Sequence, residues 1–388
     1  MDFDALIERR QTKSLKWCLY DHDVIPLWVA DMDFRCPQVV LDALKDRVDQ
    51  GILGYDLPPD ELAPLIVERM KRLYNWDIAL TDVSFVPGCV TGFNLALRAY
   101  CQPGDAVLVQ TPVYPPFLSA PQSHQLRRID NPLREMEGGR CEVDYDLFEE
   151  QIIREHVKLF ILCNPHNPVG RVFTRNELQR MAEICAAHDV LICSDDIHCD
   201  LIFDGFQHIP MASTSLDAAH RTITLIAPSK TFNIAGLHAS VMIIQDDELK
   251  ERMCSARKGL VGNPGSLSLV AALAAYQHGQ PWLEEALAYL EANRDWLAEQ
   301  VAAKMPGIRM FKPEGTFLAW LDCRQLPLPG DPYHFFLENA RVGLNNGLEF
   351  GEEGRGFVRF NFASPRSLLE EALKRMRQAL HSAGVTGY

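Results

Sequence analysis

Short apolar runs alternate with segments of helical periodicity between residues 106 and 244. Apolar runs bounded by turns are typical of buried strands, and helix-length intervals between them fit right-handed crossover units. One helix start is explicit, because Thr174 and Glu177 have the spacing of a capping box. The pattern predicts an α/β fold with a mostly parallel sheet. The five clearest strand patterns occupy residues 106–109, 159–163, 190–193, 222–226 and 240–244.

The C-terminal third has a different organisation. A helical pattern runs from Pro281 to about Met305 with leucines on one face, and we interpret it as the bridge to a smaller domain. Strand patterns follow at residues 315–321 and 356–362, and a charged helix begins near Ser367. We therefore expect an N-terminal segment (residues 1–45) that packs with the small domain, a large domain (46–280) and a small domain (281–388).

Composition and charge exclude several classes of function. With 388 residues, the chain exceeds the size at which one hydrophobic core stops growing, which favours two domains. A net charge of −14 disfavours nucleic acid and anionic membranes as partners, and no apolar run approaches the ~18–20 residues that span a bilayer. Eleven cysteines without a Cys-x-x-Cys pair, and no signal-peptide pattern, indicate a reduced cytoplasmic protein. His198 and Cys199 lack zinc-site spacing, so we expect no metal.

Lys230 is the first candidate for chemistry. It lies four residues beyond the apolar run 222–226, within the sequence Ala-Pro-Ser-Lys-Thr-Phe-Asn. A lysine buried at the carboxyl end of a strand loses its proton more easily and becomes a nucleophile toward carbonyl compounds. This chemistry suits a covalent bond to the aldehyde of pyridoxal 5′-phosphate (PLP). A lysine after a strand is more often a solvated surface residue, so the hypothesis depends on its neighbours.

Two upstream strand patterns end in groups that such a cofactor needs. In an open parallel sheet, ligand groups collect beyond the carboxyl ends of the strands. Asp195 is our candidate partner for the pyridine nitrogen, and Asp196 should point away because side chains alternate along a strand. Asn167 is the candidate hydrogen-bond partner of the phenolic oxygen, with Asn164 as a turn former and His198 close by. Asp195 could instead cap a helix.

A phosphate group needs main-chain amides at a helix start, together with hydroxyl groups or cations. A Pro-Gly turn leads into an amphipathic stretch here, and the amides of Gly88, Cys89 and Val90 are the candidates. Ser229 and Thr231 could add hydroxyl groups. Most Pro-Gly helix entries bind nothing, so this turn alone is a weak indication.

Two further residues complete the candidate site. Tyr114 follows the strand pattern 106–109, and its ring could stack on the pyridine or belong to the core. Arg359 lies between apolar residues in a predicted strand, where an unpaired guanidinium would be costly to bury. A bidentate arginine suits a substrate carboxylate, which favours Arg359 over Arg355 and Arg366.

With these motifs in place, the chain resembles fold-type I PLP-dependent enzymes of the aminotransferase class I/II superfamily. Within that superfamily it is most similar to the cystathionine β-lyase and C–S lyase subfamily, and the sequence Trp-Val-Ala-Asp-Met-Asp-Phe at residues 28–34 carries that part of the resemblance. The other matching segments are residues 51–55, the turn at 87–88, Tyr114, residues 164–171, 194–198 and 228–236.

The resemblance implies a large domain with a mostly parallel, seven-stranded sheet and a smaller α+β domain. It also implies a homodimer with shared active sites, in which Tyr55 reaches the phosphate bound by the neighbouring subunit. The roles it assigns within one chain are the covalent lysine for Lys230, the ring-nitrogen partner for Asp195, the phenolic-oxygen partner for Asn167, the ring stack for Tyr114 and the substrate carboxylate clamp for Arg359.

Three positions depart from the superfamily pattern. His238 stands where many members have a phosphate-binding arginine, which leaves the charge partner of the phosphate open. His198 replaces a frequent tyrosine, and Asp196 replaces the subfamily's usual glutamate. The substitution at His198 fits the lyases better than the transaminases.

The resemblance implies α,β-elimination from a cysteine S-conjugate such as L-cystathionine, giving homocysteine, pyruvate and ammonia. An aminotransferase is the alternative enzyme, because no motif excludes it. A cofactor-binding regulator that acts through partner contacts is the alternative from another class.

Overall fold

The computed structural model describes residues 1–385, and its elements follow each other in the order that the sequence predicts. The helices are α1 (Leu15–Cys18), α2 (Gln38–Asp49), α3 (Leu62–Tyr74), α4 (Cys89–Tyr100), α5 (Pro115–Ser123), α6 (Tyr145–Glu155), α7 (Arg175–Ala187), α8 (Leu216–Arg221), α9 (Pro228–Thr231), α10 (Asp247–Arg257), α11 (Ser266–His278), α12 (Gln280–Lys304), α13 (Pro332–Phe335) and α14 (Arg366–Ser382). The strands are β1 (Ile25–Pro26), β2 (Val83–Val86), β3 (Ala106–Thr111), β4 (Arg127–Pro132), β5 (Arg134–Glu135), β6 (Cys141–Glu142), β7 (Val157–Cys163), β8 (Leu191–Asp195), β9 (Thr222–Ile226), β10 (Ser240–Ile244), β11 (Arg309–Met310), β12 (Leu318–Asp322), β13 (Val342–Gly343), β14 (Asn345–Asn346) and β15 (Phe357–Asn361).

A seven-stranded sheet in the order β2-β10-β9-β8-β7-β3-β4 forms the centre of the large domain. Its strands β4, β3, β7, β8 and β9 are parallel, and β10 runs antiparallel to both of its neighbours, β9 and the edge strand β2. Every residue of β3, β9 and β10 is buried, which is typical of strands covered on both faces by helices. The predicted α/β class and mostly parallel sheet are confirmed.

All five strand patterns in the sequence form strands of this sheet, and two edge strands escaped prediction. The strand β2 has only four residues, and β4 reads Arg-Arg-Ile-Asp-Asn-Pro, with no apolar run. Edge strands face solvent and carry polar residues, so periodicity is a poor guide to them.

The C-terminal region forms a separate four-stranded antiparallel sheet in the order β11-β12-β15-β14. The 25-residue helix α12 precedes it, as the leucine pattern predicts, and α14 follows β15. The N-terminal segment joins this region through β1, which pairs with β13 in parallel. Within residues 1–385, no helix is both long and apolar enough to cross a membrane.

Two helix starts near the candidate site follow from local chemistry. Thr174 and Glu177 form the predicted capping box, with each side chain bonded to the other's main-chain amide. Gly88 is the N-cap of α4 with φ of +102°, a backbone conformation that residues other than glycine rarely adopt. The Pro-Gly turn therefore joins the end of β2 to the start of α4.

A buried ionic network fastens the N-terminal segment to the rest of the protein. The carboxylate of Asp33 accepts hydrogen bonds from Lys16 Nζ at 2.8 Å, Arg9 Nη1 at 2.6 Å, Trp17 Nε1 at 2.8 Å and Ser364 Oγ at 2.7 Å. The Lys16 side chain is fully buried and that of Asp33 nearly so. Burying an ion is costly unless it is paired, so this network fixes the course of the chain through residues 9–33.

We expect Asp33→Ala to lower the free energy of unfolding by about 3–5 kcal/mol, because it leaves the Lys16 ammonium buried without its main partner. Urea unfolding followed by circular dichroism measures the change. Asp42→Ala is the control: Asp42 is half exposed on α2, and its loss should cost less than about 0.5 kcal/mol. Equal effects of the two substitutions would contradict a structural role for the network.

Candidate active site

A cavity of about 560 Å³ lies beyond the carboxyl ends of the central parallel strands. It is bounded by the start of α4, the turns after β7, β8 and β9, the small-domain strand β15 and a stretch of the N-terminal segment. Ten of the twelve residues that the sequence proposes for the cofactor or the substrate line it: Gly88, Cys89, Val90, Tyr114, Asn167, Asp195, His198, Ser229, Lys230 and Arg359.

Lys230 lies in the short helix α9, directly after β9, and its partly buried side chain reaches the cavity. Its Nζ donates a hydrogen bond of 2.6 Å to the carbonyl oxygen of Ala30. Burial lowers the pKa of the ammonium to about 8, because the charged form loses its hydration. The neutral, nucleophilic form is therefore a minority near neutral pH, but a far larger one than for a solvated lysine.

Asp195 is the last residue of β8 and pairs in register with Cys163 of β7 and Leu225 of β9. Burial raises the pKa of its carboxyl group to about 7, and the nearby charge of Asp196 acts in the same direction. This carboxyl group gains from a cationic partner in the cavity, since a cation would favour its ionised form.

Asp196 points away from the cavity, as strand alternation predicts. Its fully buried carboxylate accepts hydrogen bonds from Ser194 Oγ and, at 2.9 Å, from His208 Nε2. The two adjacent acidic residues therefore have different surroundings, and only Asp195 faces the cavity.

The turn after β7 separates the roles of its two asparagines. Asn167 lines the cavity, and its Oδ1 accepts a hydrogen bond of 3.0 Å from Arg359 Nη1. Asn164 instead holds the turn, with its Nδ2 donating to the carbonyl of Ile209 at 3.0 Å.

His198 packs edge-on against Phe317, and its buried Nδ1 has no partner within the described chain. Burial lowers the pKa of the imidazole to about 3, so the ring is neutral.

The predicted phosphate region is only partly as expected. The helix start at Gly88 and the hydroxyl of Ser229 line the cavity, and His238 lies there too. Thr231 does not contribute, so that part of the prediction is wrong: its hydroxyl donates to Asp200 Oδ2 at 2.9 Å. The reason is helical geometry, since the residue after Lys230 on α9 faces the protein interior.

The two tyrosines differ in position. Tyr114 is the N-cap residue of α5 and lines the cavity, and burial raises the pKa of its hydroxyl group. Tyr55 does not line the cavity of its own chain, and its side chain is completely exposed.

Arg359 is 4% exposed and has no carboxylate within 4 Å among residues 1–385. Its Nη2 donates to the carbonyl of Trp28 at 2.9 Å and to Asn345 Oδ1 at 2.6 Å, and its guanidinium lies 4.8 Å from the ring centre of Phe350. The buried Nε has no partner in the described chain. Burial lowers the pKa of this guanidinium to about 10. A carboxylate entering the cavity would supply the missing acceptor and charge.

Sequence reasoning missed the stretch of residues 28–32, which we name the strap. Its main-chain carbonyls bind both cavity cations: Trp28 binds Arg359, and Ala30 binds Lys230. Asn361 of β15 holds the strap by donating from its Nδ2 to the carbonyls of Val29 at 2.6 Å and Asp31 at 2.8 Å. The subfamily-specific motif at residues 28–34 was the only available indication, and it identifies the segment without its contacts.

The fold and the cavity together define the class of protein. The chain belongs to the aminotransferase class I and II family, whose model matches residues 22–376. This finding confirms the superfamily resemblance.

Individual relatives cover almost the whole chain. The chain is 39% identical to the cystathionine beta-lyase PatB of Bacillus subtilis, over 98% of this chain and 100% of the relative. It is similar to the structure of the PLP-bound C-S lyase of Staphylococcus hominis, with a TM-score of 0.92, 34% identity and 98% coverage of both chains. It is also similar to the crystal structure of OvoB, with a TM-score of 0.94 and 45% identity over 100% of both chains.

We expect Asn361→Leu to loosen the strap, because the leucine keeps the volume and removes both bonds to the strap carbonyls. Amide hydrogen exchange of a peptide covering residues 28–34 should be faster in this variant, as local opening becomes easier. Asn131→Leu is the matched control, because Asn131 is equally buried and its Nδ2 donates to Gln151 Oε1 in the large domain. Unchanged exchange of the 28–34 peptide in Asn361→Leu would show that this side chain does not hold the strap.

Proposed function

We propose that the protein is a PLP-dependent carbon–sulfur lyase that acts on cysteine S-conjugates such as L-cystathionine. The names of its relatives support this proposal, as they include a cystathionine beta-lyase and a PLP-bound C-S lyase at 34–39% identity over nearly the full length. The proposal rests on one observation: Lys230, Asp195 and Arg359 line the same cavity, and Arg359 has no carboxylate partner in the described chain.

The residues of the cavity fit PLP. The unpartnered Nδ1 of His198 and the raised pKa of Asp195 both indicate that this region is built for a polar, cationic ring. Asp195 would hold the ring nitrogen, Asn167 and His198 the phenolic side, and Tyr114 the ring face. At the other end, the amides of Gly88, Cys89 and Val90 with the Ser229 hydroxyl would hold the phosphate, since a helix start attracts anions. His238 is the basic side chain that lines that end of the cavity.

Each protein group then has a defined task in the elimination. The bound cofactor supplies an electron-accepting ring that stabilises negative charge on the substrate Cα. Arg359, which lines the cavity and has no carboxylate partner in the described chain, would bind the substrate carboxylate and so orient the Cα–H bond. The neutral amine of Lys230 takes the Cα proton as general base, which its lowered pKa permits. Asp195, once ionised, keeps the ring nitrogen protonated.

The overall reaction balances with water as the only co-reactant. The electron pair of the broken Cα–H bond forms the Cα–Cβ double bond, and the Cβ–S pair leaves with sulfur as a thiolate. A thiol pKa of about 8.5 makes this a tolerable leaving group. The released aminoacrylate is hydrolysed to pyruvate and ammonia, and cystathionine also yields homocysteine.

An aminotransferase would use the same residues up to proton removal, so the cavity alone does not separate the two activities. The relatives favour the lyase over this alternative, because those with 34–39% identity carry lyase names. A purely regulatory role has weaker support, since the set of candidate catalytic residues is complete in one chain.

We further propose a homodimer with shared sites and a cytoplasmic location. Tyr55 is exposed and stands among exposed apolar residues, as expected of a segment that a second copy covers. All eleven cysteines are free, which suits a reducing compartment. The neighbours that accompany Tyr55 are Ile52, Leu53 and Leu57.

The function is tested by incubating the cofactor-supplemented protein with L-cystathionine and measuring pyruvate and free thiol. Wild-type protein should release both in equal amounts. Lys230→Ala should release neither, and borohydride should fix no cofactor on the protein, as judged by mass spectrometry. Lys258→Ala, an exposed lysine outside the cavity, should behave like wild type. If borohydride fixes the cofactor on Lys230 of the wild-type protein but no pyruvate is released, the lyase function is contradicted and the assignment of the cofactor to Lys230 stands.

Covalent capture of PLP should depend on pH with a predictable sign. The neutral amine of Lys230 is the reactive form, so capture should accelerate as pH rises through its pKa of about 8. Ionisation of Asp195, with a pKa of about 7, acts in the same direction. Stopped-flow absorbance of apoprotein mixed with PLP measures the rate. A rate that begins to rise only near pH 10, as expected for a solvated lysine, would show that burial does not lower the pKa of Lys230.

A further inference from the structure

The cavity contains one acidic side chain that the proposed reaction does not use. Glu349 lies in the short 3₁₀ turn Gly347–Phe350 of the small domain and lines the same cavity as Lys230 and Arg359. It has no lysine, arginine or histidine within 4 Å among residues 1–385. Its negative charge is therefore available to a ligand.

The position of this carboxylate is fixed relative to the substrate clamp. Glu349 Oε2 accepts a hydrogen bond of 3.1 Å from Asn345 Nδ2, and Asn345 Oδ1 accepts one of 2.6 Å from Arg359 Nη2. A single amide group thus separates the carboxylate from the guanidinium. Glu349 and the clamp therefore line the same part of the cavity.

Apolar side chains also line the cavity. Leu15, Trp28 and Phe350 line the cavity with Glu349. Hydrocarbon and thioether groups suit these three side chains, whereas the carboxylate suits a cation at the end of such a group. An anionic end would instead meet like charge.

We propose that Glu349 selects cysteine S-conjugates whose sulfur substituent ends in a cationic group. This inference rests on the proposed lyase function and specifies its substrate class. Glu349 acts on the far end of the substrate, so it determines specificity and takes no part in proton transfer. The distal end of cystathionine carries an ammonium beside a carboxylate, and Glu349 would contact the ammonium; a purely alkyl substituent offers no such group.

Two conjugates of equal size test the proposal: S-(2-aminoethyl)-L-cysteine, with a distal ammonium, and S-propyl-L-cysteine, with a methyl group in its place. We expect wild-type holoenzyme to favour the aminoethyl conjugate in kcat/KM. Glu349→Gln keeps an acceptor for Asn345 and removes only the charge, so this preference should fall about two- to fivefold, the scale of an exposed ion pair. Turnover of the propyl conjugate should change less than that of the aminoethyl conjugate.

Glu353→Gln is the matched control. Glu353 is exposed, lies four residues further along the chain, has no basic partner within 4 Å in the described chain and does not line this cavity. The preference should remain at the wild-type value in that variant. In the wild type, the preference for the aminoethyl conjugate should also weaken as salt is added, because salt screens an ion pair at an open cavity.

The outcomes separate the two proposals. Pyruvate from both conjugates with an equal preference in wild type and Glu349→Gln would overturn the inference alone. Pyruvate from neither conjugate, nor from cystathionine, would overturn the lyase function and the inference with it. A preference lost equally in Glu353→Gln would assign the effect to general surface charge and would also overturn the inference.

Discussion

The site depends on two cations that lie inside one cavity and donate to main-chain carbonyls there. Lys230 donates to the carbonyl of Ala30, and Arg359 donates to that of Trp28, both in the strap. Burial removes the hydration of both cations and so lowers both pKa values. The consequence differs with the group: the lysine gains a reactive neutral form, and the arginine remains charged and available to an anion.

The surrounding packing fixes the positions of Lys230 and of the strap carbonyls. The helix α9 that carries Lys230 is held from the interior side by Asp200, which accepts from Thr231 at 2.9 Å and is paired with Arg69. The strap is held by Asn361 on one side and by the network of Asp33, the residue that directly follows it. The positions of amine and carbonyl are therefore set by separate elements from both ends of the chain.

Much of this site could be predicted because its side chains follow strands. A parallel sheet brings the carboxyl ends of its strands together, so the sequence of β7, β8 and β9 predicted the grouping of Asn167, Asp195 and Lys230. Asp195 could be told apart from Asp196 because successive side chains along a strand point to opposite faces. The contribution of the strap could not be predicted, because its carbonyls are common to every residue. Glu349 was equally hidden: it lies in a short turn whose place depends on how the small domain packs.

The failed prediction at Thr231 shows where local reasoning stops. Ser229 and Thr231 flank the lysine and have the same hydroxyl chemistry, yet one lines the cavity and the other binds Asp200. Residues two apart on a helix face different directions, so one hydroxyl at most could serve a ligand beside Lys230. The inward hydroxyl is then free to anchor the helix, and the same short segment both presents the amine and fixes its position. Reactivity at Lys230 and the rigidity of its support are thus two properties of one turn of helix.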